Sequence, residues 1–176
     1  MTTDNQEEVF DVVDADDRVI GQATRGEVHR GGLRHRSVHV FLFNSRGELF
    51  LQKRAATKDT FPGCYDSSAS GHLNTGETYD GGAVRELEEE LGLTAGDVPL
   101  LTPLFKLPAC LETGWEHAMF YTCQTDATPR PNPREIESGR FFTLAEVIAM
   151  VQDNPSQFAP AFLRILAKFG EQMGKG

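Results

Sequence analysis

Between Gly71 and Leu93 the chain carries a segment that few folds can accommodate. Glu86, Glu89 and Glu90 stand at i, i+3 and i+4, so a helix through them puts three carboxylates on one face. Like charges at that spacing weaken a helix, so something positive has to stand in front of them. The helix itself reads cleanly over 78–91. Thr78 serves as N-cap, Asp80 suits the positive N-terminal end, and Gly92 supplies the stop. Gly81 and Gly82 inside it each cost about 1 kcal/mol relative to alanine, which calls for close backbone packing against a sheet. Clustered hard oxygen donors suit Mg²⁺ or Mn²⁺ better than zinc. Arg85 and Glu77 offer an ion pair that ties the preceding loop to the helix. Most acidic runs are only solvated faces, and Glu88 is read that way. The other three are not, because Gly71, Glu77, Arg85 and Gly92 sit at fixed places around them.

The flanks supply a sheet. Val9–Val13 and Val19–Ala23 read as a short hairpin bending at Asp16-Asp17, and Glu27–Arg30 as a short helix ending at Gly31-Gly32. The nearly continuous apolar run Ser37–Phe43, a turn, and the alternating run Glu48–Lys53 predict a hairpin in a central sheet. Tyr65–Ser70 reads as one short strand entering the acidic segment. Leu101–Leu107, Ala118–Cys123 and Arg140–Phe142 read as later strands. Thr143–Val151 is a helix with a Thr143/Glu146 capping box, and 158–173 contains a last amphipathic helix. Interleaved elements of both kinds predict an α/β (α+β) class with a mixed sheet between helices.

A length of 176 residues fits one domain, expected over 8–176 behind a polar, frayed segment at 1–7. The net charge of −9 argues against binding a nucleic acid polymer but not against a small phosphorylated ligand, because a divalent cation inverts the local field. No run approaches the ~20 apolar residues of a membrane helix, and the opening MTTDNQEEVF has no apolar leader core. A cytoplasmic protein is expected, with Cys64, Cys110 and Cys123 reduced and mostly buried. A homodimer is an open expectation.

The Gly71–Leu93 segment resembles the Nudix box, G-x5-E-x7-R-E-U-x-E-E-x-G-U with U a bulky aliphatic. All nine specified positions match: Gly71, Glu77, Arg85, Glu86, Leu87, Glu89, Glu90, Gly92 and Leu93. The resemblance implies a Nudix α/β/α sandwich with a mixed central β-sheet and hydrolysis of a phosphoanhydride bond. It also implies Mg²⁺ (or Mn²⁺) on Glu86, Glu89 and Glu90, a brace of Glu77 with Arg85, and Glu89 as the preferred base. Outside the box, Leu33–Arg36, Phe43–Leu49, Leu51–Ala55, Lys58, Phe61-Pro62-Gly63 and Ser70-Gly71-His72 look like the branch that includes type 1 isopentenyl diphosphate isomerase. That likeness implies His35, His72 and Glu116 as further metal ligands and Arg54 and Lys58 as diphosphate contacts. Two departures point to hydrolysis. Ser70 stands where the isomerase has its catalytic cysteine, and the box is complete where the isomerase's is degenerate. The expected substrate is a small nucleoside diphosphate-type molecule; the rivals are an isomerase and a non-catalytic nucleotide sensor. His39, in an apolar run, is read as a satisfied strand residue, and Trp115 as a packing residue.

Overall fold

The computed structural model describes residues 4–174. The architecture follows from β3 (His35–Phe43), whose side chains alternate between two faces. Val38, Val40 and Leu42 point one way, His35, Ser37, His39 and Phe41 the other, and all seven are buried. Such a strand belongs in the middle of a sheet. It runs parallel to β8 (Glu116–Gln124) from His35↔Glu116 to Phe43↔Gln124, and antiparallel to β6 (Ala69–His72). Beyond β8 lies β7 (Leu101–Leu107), antiparallel to it. On the other side, β4 (Leu49–Arg54) pairs antiparallel with β5 (Tyr65–Asp66) and with β9 (Ile136–Phe142).

Helices cover both faces of this seven-stranded mixed sheet. α2 (Tyr79–Leu91) lays Ala83, Leu87 and Leu91 on the Val38–Val40–Leu42 face. On the opposite face, α3 (Leu144–Asp153) contributes Val147, and α4 (Pro160–Met173) contributes Phe162, Ile165 and Phe169 against Phe41, Phe120 and Phe142. The result is the expected α/β/α sandwich. A separate antiparallel ribbon, β1 (Val9–Val13) with β2 (Val19–Thr24), leads into α1 (Arg25–Gly31).

Three local expectations need correction. β3 and β4 are not a continuous ladder: they pair only at Phe43↔Leu49 and then part. The single strand expected over Tyr65–Ser70 is therefore two, β5 on β4 and β6 on β3. Ser68, buried between them, stitches the halves together. Its Oγ accepts from Leu42 N (2.8 Å) and donates to Phe50 O (2.5 Å). Second, residues 4–7 are not frayed. Asp4 pairs with Lys58 and accepts from Asp59 N at 2.8 Å, while Gln6 Nε2 donates to Asp59 Oδ2 at 3.1 Å. Residues 1–3 lie outside the described residues. Third, of the three free cysteines only Cys123 is fully buried.

Candidate active site

α2 is built as its sequence dictates. Thr78 caps its start by accepting from Gly81 N, and Gly92, at φ 62°, closes its end with its N–H on Glu88 O and Leu87 O. Gly82 has its packing reason: a Cβ there would lie 3.2 Å from Leu73 Cδ1, in the loop after β6. With Leu87 and Leu91 committed to the core, Glu86 and Glu90 turn inward beside it, whereas Glu89 leaves 59% of its side chain exposed.

The positive charge demanded by this face is Arg85. Its guanidinium grips Glu77 with two bonds of 2.9 Å, and its Nη1 reaches Glu86 Oε1 (2.7 Å) and Glu89 Oε2 (2.9 Å). Nη2 also donates to His72 O at 2.9 Å, so one side chain ties loop, helix and β6 together. Glu90 Oε2 accepts from Gln52 Nε2 (2.9 Å) and Ser70 N (3.0 Å). Gly71 lets β6 lie directly against the carboxylates, since a Cβ there would fall 2.0 Å from Glu86 Oε1. Burial raises the Glu86 and Glu90 carboxyls above the usual range; the Glu86 charge adds to the rise at Glu90, while Arg85 opposes the rise at Glu86. Two buried, partly compensated carboxylates beside an exposed third form an oxygen-donor set that fits a hard divalent cation.

A second cluster adjoins the first through His72, the residue after Gly71 on β6. His29, His35 and His72 bring ring nitrogens within 4.8 Å of one another. Glu116 Oε1 stands 3.1 Å from His72 Nε2 and 3.7 Å from His35 Nε2. His35 Nδ1 is committed to Leu33 O at 2.9 Å, which leaves Nε2 as a fully buried atom with no hydrogen-bond partner. Burial pushes the His72 imidazole down to about 3, against the opposing pull of Glu116, so the ring is neutral. Glu116 is held well below the usual carboxylate range: burial opposes ionisation, but His72 and His35 outweigh it. An orphaned imidazole nitrogen, a neutral His72 ring and an ionised carboxylate fit a nitrogen- and oxygen-ligated divalent metal. His29 is absent from the sequence-based ligand set. Its only signal was its place on a short helix, and α1 brings it within 3.4 Å of His72, 43 positions away.

Arg54 and Lys58 line the same cleft, yet neither presents a bare charge. Arg54 Nη1 meets Asp66 Oδ2 at 3.3 Å, and Lys58 is held between Asp4 and Glu135 (2.5 Å to Glu135). Arg25 is a further cation of this region, buried, that sequence reasoning missed. It forks onto Asp59 through two bonds of 2.8 Å and touches His72 Nδ1 at 3.1 Å. Trp115 is half-buried at the rim, with the Arg34 guanidinium 5.7 Å from its ring centroid. The cleft enclosing both clusters measures about 950 Å³, room for a nucleotide-sized ligand.

The NUDIX domain family matches residues 33–162. The chain belongs to the Nudix family. Similar proteins carry both isomerase and Nudix hydrolase names. An isopentenyl-diphosphate Delta-isomerase of Serratia proteamaculans is 34% identical over 167 residues, 93% of this chain and 92% of its own. An uncharacterised Nudix hydrolase of Streptomyces coelicolor is 47% identical over 100 residues, 57% of this chain, and the match spans only 54% of that protein. A crystal structure of a Deinococcus radiodurans protein matches with a TM-score of 0.74 at 32% identity, over 84% of this chain and 90% of that one. Among the described residues no helix is long and apolar enough to cross a membrane.

Proposed function

We propose that this Nudix domain hydrolyses a phosphoanhydride bond in a small nucleoside diphosphate-type substrate, with Mg²⁺ or Mn²⁺ held by Glu86, Glu89 and Glu90. The observation that carries the reading is the complete carboxylate face of α2, braced by Arg85 and Glu77 and brought against β6 by Gly71. A divalent cation there supplies charge neutralisation for phosphate oxygens and acidifies a water. The side chains do the rest. Glu89, the most exposed of the three and paired with Arg85 through Oε2, is the carboxylate placed to take a proton from the attacking water. Arg85 fixes the carboxylate geometry. Arg54 and Lys58 stand ready to exchange carboxylate partners for phosphate oxygens, Arg by a two-pronged contact. Free thiols at all three cysteines accord with a cytoplasmic setting.

A second reading, isomerisation of isopentenyl diphosphate, is favoured by the isomerase relatives that span most of the chain and by the His29, His35, His72 and Glu116 cluster. Against it stands Ser70, whose hydroxyl is a far weaker acid than a thiol. The test is chromatographic product analysis with Mg²⁺ of nucleoside di- and triphosphates, ADP-ribose, dinucleotides and isopentenyl diphosphate, scoring phosphate, pyrophosphate and monophosphate products, with isopentenyl diphosphate also scored for isomerisation. Release from a nucleotide, abolished by chelator, supports hydrolysis. Isomerisation without hydrolysis of any compound would replace the proposal with its rival.

A further inference from the structure

Arg25, Arg54 and Lys58 line the cleft already paired with carboxylates, so a substrate that brings negative charge to them has to displace a partner. Most of those partners are fixed by the fold. Asp66 stands on β5, and Asp59 holds the Arg25 fork through two bonds of 2.8 Å. Glu135 precedes the buried Ile136, and its backbone accepts from Ala55 N (2.9 Å) and donates to Asn132 O (3.0 Å).

Asp4 is held differently. Every side chain over 4–8 is polar, and the first apolar side chain of the described residues to enter the core is Phe10. The segment lies on α1, where Gly26 N donates to Gln6 O (3.1 Å) and Arg25 N to Glu8 O (2.7 Å), and Gln6 Nε2 donates to Asp59 Oδ2 (3.1 Å). Polar contacts of this kind exchange with water or an oxyanion, and a segment without buried apolar anchors opens at low cost.

The donors that Asp4 holds are those a phosphate would take. Its side chain lines the cleft and is only 5% exposed. Oδ1 faces Lys58 Nζ and, at 3.7 Å, Arg25 Nη2, while Oδ2 accepts from Asp59 N at 2.8 Å. An ammonium, a guanidinium and a backbone N–H converging on two oxygens suit a phosphate group as well as a carboxylate.

We propose that Asp4 is a built-in competitor: it seats a carboxylate where a substrate phosphate binds Lys58, and the phosphate enters by displacing it. This rests on the reading above that Lys58 contacts the diphosphate. While Asp4 is seated the site is closed to phosphate, so the apparent affinity falls with the competent fraction. A ligand with one negative charge gains little by the exchange, whereas a diphosphate brings more charge than it displaces.

The test is calorimetric binding of methylenediphosphonate, an uncleavable diphosphate, with Mg²⁺ present. Wild type, Asp4→Ala, Asp4→Asn, Glu8→Gln, Lys58→Met and the double variant Asp4→Ala/Lys58→Met are compared. Asp4→Ala is expected to tighten binding by about tenfold, the worth of one charge-assisted contact released. Asp4→Asn, which keeps the shape of the side chain, is expected to tighten it in the same direction and decides the matter if Asp4→Ala misfolds. Glu8→Gln removes the same charge from the same segment without touching Lys58, and is expected to change affinity by less than about twofold. In the Lys58→Met background the gain from Asp4→Ala is expected to vanish. Unchanged or weaker binding in the folded Asp4 variants, an equal gain from Glu8→Gln, a gain that persists without Lys58, or no binding to any of the proteins would each overturn the inference. Failure of the hydrolysis reading is separate: no compound would be cleaved, yet the Asp4 variants would still bind the diphosphonate more tightly.

Discussion

At Gly71 one added methyl group has nowhere to go. A Cβ would sit 2.0 Å from Glu86 Oε1, so Gly71→Ala has to displace the Glu86 carboxylate from its place beside β6. Phosphate release is expected to fall by about 100-fold, as 1 Å misplacements do, with the fold retained by circular dichroism. Arg85→Met removes the common partner of Glu77, Glu86 and Glu89. With Glu86 left buried and uncompensated, unfolding by urea is expected to show a loss of about 2 kcal/mol, and activity should disappear with it. The residues of this brace were legible because their spacing is local: i, i+3, i+4 and one loop. His29 and Arg25 were not, because only the β1–β2 ribbon and α1 bring them against His72. Lys58 was legible as a cleft cation, but its partners Asp4 and Glu135 are too far along the chain for spacing to reveal. His39 was misjudged in part: it is buried and anchored as expected, yet it also lines the cleft.

At the scale of elements, the helices announced themselves through their ends. Thr24 with Glu27 and Thr143 with Glu146 form complete capping boxes, and Thr78 and Gly92 bound α2. Thr143→Ala is expected to lower stability by about 1 kcal/mol in denaturant titration, with activity unchanged because α3 packs on the face away from α2. Strand pairing was less readable. Ser37–Phe43 and Glu48–Lys53 are joined by a tight turn, which favours a hairpin, but the preferred partners of β3 are β8 and β6. Those ladders are decided by side-chain packing between distant segments. Ser68, which lets the strands part, carries no turn signal in the sequence.

In the whole molecule, the turn of the β1–β2 ribbon is pinned to the sheet by Asp17. Its carboxylate accepts from Arg36 Nε (2.6 Å), Lys106 Nζ (2.6 Å) and Tyr79 OH (2.9 Å). Burial opposes ionisation of Asp17, but hydrogen bonds from Lys106, Arg36 and Tyr79 outweigh it, so its pKa is lowered on folding. A carboxyl depressed in the folded state adds stability that is fully present above its unfolded pKa of about 3.9 and is lost as pH falls through the folded value. Asp17→Asn, which tolerates the local φ of 66°, should therefore destabilise at pH 7 and converge on the wild type in acid. An offset that stays constant from pH 7 to pH 2 in urea titrations would contradict this linkage. The overall sandwich was readable because the box fixes one helix against one strand, and the nearly continuous apolar run along β3 demands cover on both faces.

The claim on which the rest depends is that water attacks phosphorus, using the carboxylate face of α2. Turnover of ADP-ribose and nucleoside diphosphates in ¹⁸O-labelled water, with Mg²⁺, tests it directly when run beside Glu89→Gln. The account predicts labelled phosphate or nucleoside monophosphate from the wild type, and a rate reduced by about 100-fold or more in the variant. Unlabelled products, or a Glu89→Gln protein that labels as fast as the wild type, would contradict it.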